Sequence, residues 1–398
     1  MPSLPASPRP APRPRKPSGS GLAALVLGLG AALSSAAAPA GAQPAGPSLD
    51  VRIGQMLMVG FRGTLPGPEH PILEDIRQRH IGGVILFDRD VASGSERRNV
   101  RSPGQVRRLT ARLQEAADRP LLIAVDQEGG RVSRLPPERG FTAAPSPAEL
   151  AAAGTEATRR AARETAGQLH RLGLNLNLVP VLDLARNPDS PVIAGLGRSF
   201  GAEPGPVSRH AATVVRAHRG AGVLTSVKHF PGHGSARGDT HRGLVDITQT
   251  WAQAELTPYR RLLARGLVDT VMVGHLMHRG LDPDWPASLS RRIIHGLLRE
   301  ELGFEGVVIL DDLQMGAIRE HHDLRTVVRR ALEADADILL FGNNLIYEPD
   351  IAGRVHGIIR DLVRTGRVSE ERIDRSYRRI RALKERLGTI HPSREKEG

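Results

Sequence analysis

No cysteine occurs in the 398 residues. That excludes disulfide staples, thiolate metal sites and cysteine nucleophiles. Aromatic residues make up only 3% of the chain, so the core must be built from Leu, Val, Ile and Ala. Lysine is nearly missing too: Lys16, Lys228, Lys384 and Lys396 are the four lysines among 55 basic residues. The formal charge of +12 is therefore carried by arginine. No run of five or six like charges occurs, so the excess reads as a solvated, arginine-rich surface and not as a nucleic-acid partner site. A weak attraction to an anionic cell wall or membrane surface is the functional alternative. The length allows one large barrel or two ordinary domains.

The first 42 residues have the layout of a secretory signal peptide. Arg13, Arg15 and Lys16 form a basic region, the apolar stretch GLAALVLGLGAALSSAAA begins at Gly21, and Ala40-Gly41-Ala42 gives a small-x-small cleavage pattern before Gln43. The apolar run is short and Gly-rich for a spanning helix. The expectation is export through a cleaved signal peptide to a periplasmic or extracellular location, with no membrane span left afterwards. Residues 43–50 read as a short linker, 51–391 as one folded domain and 392–398 as a tail.

From Val51 onward, short apolar runs alternate with longer stretches of helical spacing. The runs begin at Ile53, Gly82, Leu121, Leu174, Val223, Thr270, Gly306 and Ala336. Apolar runs bounded by turn signals and separated by helices read as buried parallel strands. Eight of them suit an α/β fold of the (β/α)8 TIM-barrel type in a single domain. A doubly wound open sheet is the rival, weakened by the lack of a Gly-rich dinucleotide turn after the first strand. Two helices have readable limits: one starts at the N-cap Ser290 and ends at Gly303, and the last covers 367–388.

Chemistry in such barrels sits where strands end, and these strand ends are polar. The third runs into DQEGGRVSR (Asp126 to Arg134), the fourth into GLGRSFG with Arg198, and the fifth into KHFPGHGSARGDTH (Lys228 to His241). The sixth ends at His275 and the seventh at Asp311-Asp312. Singly, an aspartate at a strand end caps a helix, a histidine is a satisfied polar residue, and glycines serve turns. Together on one rim they point to a site.

Cleavage of a glycosidic bond needs a carboxylate on one face of the sugar and a proton donor on the other. Asp311, fixed by a buried strand, suits attack on the anomeric carbon. Asp239 and His241, two apart in a loop flanked by Gly238 and Gly243, suit an imidazole oriented by a carboxylate that gives and takes the leaving-group proton. Asp126, Arg134, Arg198, Lys228 and His229 are candidates to hold sugar hydroxyls through charge-assisted hydrogen bonds, with Lys228 open to a structural pairing with Asp126 or Asp183. Trp251 and Trp285 read as packing residues before sugar platforms. No cofactor or metal is expected. Three other readings stay open: phosphorolysis, for which a histidine acid/base would not repel phosphate; a metal-dependent hydrolase using His229, His233, Asp239 and His241; and a silent carbohydrate-binding protein.

The segments DQEGGRVSR, GLGRSFG, KHFPGHGSARGDTH and LLREELGFEGVVILDDLQM, in this order, are carried by a stretch from about Val51 to His391 that resembles glycoside hydrolase family 3, in its bacterial single-domain β-N-acetylhexosaminidase branch. The resemblance implies a retaining reaction on terminal β-linked N-acetylglucosamine, with peptidoglycan fragments or chitooligosaccharides as substrates. It implies Asp311 as nucleophile, His241 as acid/base with Asp239 as its partner, and Asp126, Arg134, Arg198, Lys228 and His229 around the sugar. Relatives acting on plain glucosides usually take the acid/base from an additional domain, which this chain lacks. The sequence departs from the pattern at Leu310, where the family usually carries Ser or Thr.

Overall fold

A computed structural model of the chain describes residues 46–390. The signal-peptide reading, its cleavage pattern and the 392–398 tail lie outside the described residues.

Among the described residues, ten strands follow one another: β1 (Leu57–Gly60), β2 (Gly83–Leu86), β3 (Leu122–Val125), β4 (Leu176–Asn177), β5 (Leu224–Phe230), β6 (Val245–Asp246), β7 (Thr270–Val273), β8 (Leu276–Met277), β9 (Val307–Leu310) and β10 (Leu339–Phe341). Eight form one parallel sheet in the order β10-β1-β2-β3-β4-β5-β7-β9. A parallel bridge between Ile309 and Ile338, with the Leu310 amide donating to the Ile338 carbonyl at 3.0 Å, joins the two ends. The result is the (β/α)8 barrel expected from the alternation. Every residue of these eight strands is buried, because helices cover the outside while side chains fill the inside. That double burial is why the strands read as continuous apolar runs and not as alternating ones.

Differences from expectation are local. The run from Thr270 divides at Gly274-His275: β7 stays in the barrel, while β8 leaves it and pairs with β6 above the rim. The long run from Leu174 contributes a strand of only two residues, although beyond Asn177 the Leu178 amide still donates to the Val125 carbonyl and Val181 bridges Lys228. The first helix, Leu49–Gln55, begins inside the segment read as a linker, with the Ser48 hydroxyl accepting from the Val51 amide. Ser290 does accept from the Ile293 amide at 3.0 Å, and Gly303 has φ +72°, but the helix between them, Arg292–Glu301, is wound as a π-helix. The last helix is Glu370–Ile390 and not 367–388, because Ser369 accepts from the Arg372 amide and defines the start.

That final helix closes the end of the barrel opposite the rim. Asp337 accepts from the Val308 amide at 2.9 Å and from Arg299 at 2.7 Å, and pairs with Arg379 at 3.1 Å. Nearby, Lys384 is buried with its Nζ 2.7 Å from Gln55 Oε1. Among the described residues no helix is long and apolar enough to cross a membrane.

Candidate active site

All eight singled-out side chains (Asp126, Arg134, Arg198, Lys228, His229, Asp239, His241 and Asp311) line one cavity of about 310 Å³ at the C-terminal end of the barrel strands. Its apolar floor is made by Ile85, Leu178, Met272 and Leu340. Neither tryptophan lines it. Trp251 donates to the Pro231 carbonyl, and Trp285 lies under the Arg330 guanidinium at 4.2 Å.

The loop after β3 is tied into shape by Gln127. Its Oε1 accepts from the amides of Arg134 and Leu135 at 3.0 and 3.1 Å. Gly129, with φ +100°, must be glycine: a Cβ there would lie 2.1 Å from the Pro145 carbonyl. This folding aims Asp126 and Glu128, two residues apart and so on one side of an extended chain, at Lys228. The Lys228 Nζ lies 2.6 Å from Asp126 Oδ1 and 2.7 Å from Glu128 Oε1. Glu128 also receives a fork from Arg198, Nε to Oε2 at 2.7 Å and Nη2 to Oε1 at 2.8 Å.

Burial pushes the Glu128 carboxyl up, but Arg198 and Lys228 outweigh burial and hold it well below the ordinary carboxylate range. The carboxylate anions in turn raise the Lys228 and Arg198 pKa values against their own desolvation. Glu128 is the main residue that sequence reasoning passed over. Its position two after Asp126 in the DQEGG run was the available signal.

Strand alternation would put Lys228 and His229 on opposite faces. Both reach the cavity because the β5–β7 register shifts between Val227 and Phe230, as at a bulge that re-aims side chains. Lys228 does not pair with Asp183. That carboxylate instead takes His229 Nδ1 at 2.6 Å and the amides of His229 and His233 at 3.1 and 2.8 Å. His229 Nε2 faces Arg198 Nη2 at 3.2 Å. His233, close by, is pushed down to about 4 by burial and by His229.

Asp311 follows β9 directly and is half-buried, open to the cavity. Burial raises its carboxyl, but His229, His275 and His241 and the Asp312 amide overcome this and hold it at about 2. It is a carboxylate at any working pH. Asp312 is different. Its Oδ1 accepts from the Gly342 and Gln314 amides at 2.9 and 3.0 Å, fastening β9 to β10, and burial lifts it to about 6. Leu310 is fully buried in the core, so Asp311 is held by strand pairing and apolar packing, with no hydroxyl beside it.

His241 is half exposed, with Nδ1 2.7 Å from Asp239 Oδ1. The His241 amide donates to the same oxygen at 2.9 Å. Burial works against protonation, but the Asp239 hydrogen bond and the nearby Asp311 charge leave the imidazole pKa raised. Asp239 is lowered to about 2, chiefly by its bond to His241. The carbonyls of Thr240 and His241 accept from the Ala317 and Gly316 amides, each at 3.2 Å, docking this loop on the segment that follows Asp311. Among the described residues, no three His, Asp or Glu side chains are grouped to hold a metal ion.

A closed parallel barrel whose C-terminal rim gathers an ionised carboxylate, an Asp–His pair and a set of charged side chains around one cavity has the build of a barrel glycosidase. The chain belongs to glycosyl hydrolase family 3, whose N-terminal domain model matches residues 48–383. It is 35% identical over 362 residues to the β-hexosaminidase LpqI of Mycobacterium tuberculosis, covering 88% of this chain and 86% of that one. It is 37% identical over 333 residues to a β-hexosaminidase of Alkalilimnicola ehrlichii, covering 81% and 88%. A solved family 3 β-N-acetylglucosaminidase from a Paenibacillus species superposes with a TM-score of 0.79 at 37% identity, over 88% of this chain and 65% of that longer one.

Proposed function

We propose that this protein is an exported, retaining β-N-acetylhexosaminidase that removes terminal β-linked N-acetylglucosamine from peptidoglycan fragments or chitooligosaccharides. The observation that carries the reading is the sharing of one cavity by Asp311 and the Asp239–His241 pair. Asp311 attacks the anomeric carbon while His241 Nε2 protonates the departing glycosidic oxygen, giving a glycosyl ester on Asp311. Water, deprotonated by His241, then attacks the same carbon and frees the carboxylate, so the configuration is retained. Asp239 holds Nδ1–H throughout and stabilises the charged ring.

Asp126, Lys228 and Arg134 hold the sugar hydroxyls. Arg134 has a buried Nε with no partner among the described residues, so a hydroxyl placed there satisfies it. Arg198 and His229 act mainly by positioning, since their polar atoms are taken by Glu128, Val192 and Asp183. The small, apolar-floored cavity favours one terminal ring over a polymer segment. The names of the relatives support the substrate class.

The test is turnover of a chromogenic N-acetyl-β-glucosaminide against the matching β-glucoside, with the first product anomer read by NMR. Cleavage of the first with release of the β-anomer is expected. Preference for the glucoside, or release of the α-anomer, overturns the assignment. Sugar-1-phosphate formed on adding phosphate would replace hydrolysis with phosphorolysis. For export, the mature protein recovered outside the cytoplasm should begin at Gln43; an uncleaved chain inside the cytoplasm overturns that part.

A further inference from the structure

The charge of the outer helical ring is lopsided. The four helices Pro103–Ala116, Thr155–Arg171, Pro204–Gly220 and Thr257–Leu263 follow β2, β3, β4 and β5 and lie side by side. They carry twelve arginines and three carboxylates, Glu115, Glu156 and Glu164. On the opposite side, several arginines are answered, Arg325 by Asp361, Arg329 by Glu333, Arg375 by Glu371, and Arg381 by Glu385, although among the described residues the exposed Arg367 and Arg378 are not. On the basic side, only Arg159, Arg219 and Arg260 have carboxylate partners among the described residues.

Arg107, Arg108 and Arg171 are exposed and line a groove between the first two helices, together with Gln114 and His170 and with no acidic residue. Two helices further round, the Nη1 atoms of Arg209 and Arg261 both lie 3.5 Å from where a Cβ on Gly205 would stand. Two like charges thus flank one glycine. Such an arrangement costs self-repulsion in the free protein, which a bound anion relieves.

We propose that this face docks a soluble, linear phosphodiester polymer of the cell wall, a poly(alditol phosphate) chain lying along the groove and around the helices. None of these arginines lines the cavity that holds Asp311, and the proposal draws on export only for where the polymer would be met. Shape and composition distinguish it from a bilayer. The basic residues follow the curved side of the barrel, which a flat surface meets along one or two helices. The exposed large apolar residues, Leu65, Val91 and Leu244, all lie outside these helices, whereas helices that lie on membranes insert apolar side chains. No tryptophan, tyrosine or phenylalanine occurs in the first three helices, so there is no platform for stacking nucleic-acid bases.

The test is binding of poly(glycerol phosphate) to the full-length mature protein at several salt concentrations, with single-stranded DNA and anionic phospholipid vesicles as parallel arms. Affinity should fall steeply with salt. The triple variant Arg107→Glu, Arg108→Glu, Arg171→Glu should bind about tenfold more weakly or worse and show a shallower salt slope, while turnover of a small chromogenic glycoside is unchanged. Charge reversal at Arg325 and Arg381, which are paired, should have little effect. Equal binding by the wild type and the triple variant overturns the proposal, as does binding confined to vesicles or to DNA.

Discussion

The carbonyl of His241 accepts a hydrogen bond from the amide of Gly316 at 3.2 Å, so the loop bearing the Asp239–His241 pair rests on the turn that follows Asp311. A Cβ on Gly316 would stand 2.9 Å from that same carbonyl oxygen. Gly316→Ala should therefore displace the loop and lower kcat by roughly 10- to 100-fold, as sub-ångström to ångström misplacements do. Melting temperature should change little, and steady-state kinetics beside a thermal melt is the check.

Asp311→Ala should reduce kcat by on the order of 10⁴-fold or more, and added azide should restore cleavage of an activated substrate as an α-configured glycosyl azide. Asp312→Asn keeps one acceptor oxygen for the Gly342 and Gln314 amides and should retain activity within about tenfold. The reverse pattern would move the nucleophile to Asp312.

The pH profile follows from two shifts. Asp311 is ionised down to about 2, so it sets no limb near neutrality. The acid form of His241 is present below its raised pKa, so activity should fall as pH rises through that value. Asp239→Asn removes the chief stabiliser of the imidazolium and should shift the alkaline limb to lower pH. His241→Ala should cost about 10²–10⁴-fold with poor leaving groups and far less with dinitrophenolate, which needs no proton.

Glu128→Gln leaves Lys228 and Arg198 buried with one charge partner fewer. A loss of about 3–5 kcal/mol is expected at neutral pH, together with a higher KM, readable by denaturant unfolding and kinetics. The Glu128 pKa is depressed in the fold, so its contribution is full above the ordinary glutamate value and drains away as pH falls. The gap between wild type and variant should narrow in acid.

Lys384 is lowered from 10.5 to about 7, first by burial. Between those values the unfolded chain holds a proton that the folded chain lacks. Stability should therefore rise with pH across that window, by a few kcal/mol at most. Lys384→Met should flatten the rise. Parallel curves for the two proteins from about pH 7 to 10 would refute it.

The barrel was legible because double burial makes each strand a compact apolar run, and because polar residues appear abruptly where the strands end. Asp311, His241 and Asp239 could be picked out by residue type and position at that rim. Lys228 and His229 together could not follow from alternation, which the register shift in β5 breaks. Glu128 and Asp183 were harder still. They act on other protein side chains and not outward, so their importance is written in distances between segments 46 (183 to 229) to 100 (128 to 228) residues apart. The π-winding of Arg292–Glu301 leaves no mark in a pattern that an α-helix would satisfy equally well.

Glu128 binds Lys228 from one strand and Arg198 from a loop, while itself belonging to a third segment. A sugar entering the cavity meets anchors that are already oriented, so the ordering penalty that three pliable loops would levy on association is absent. The half-exposed segment carrying His241 stands outside that network and is fastened separately, through the Gly316 and Ala317 amides.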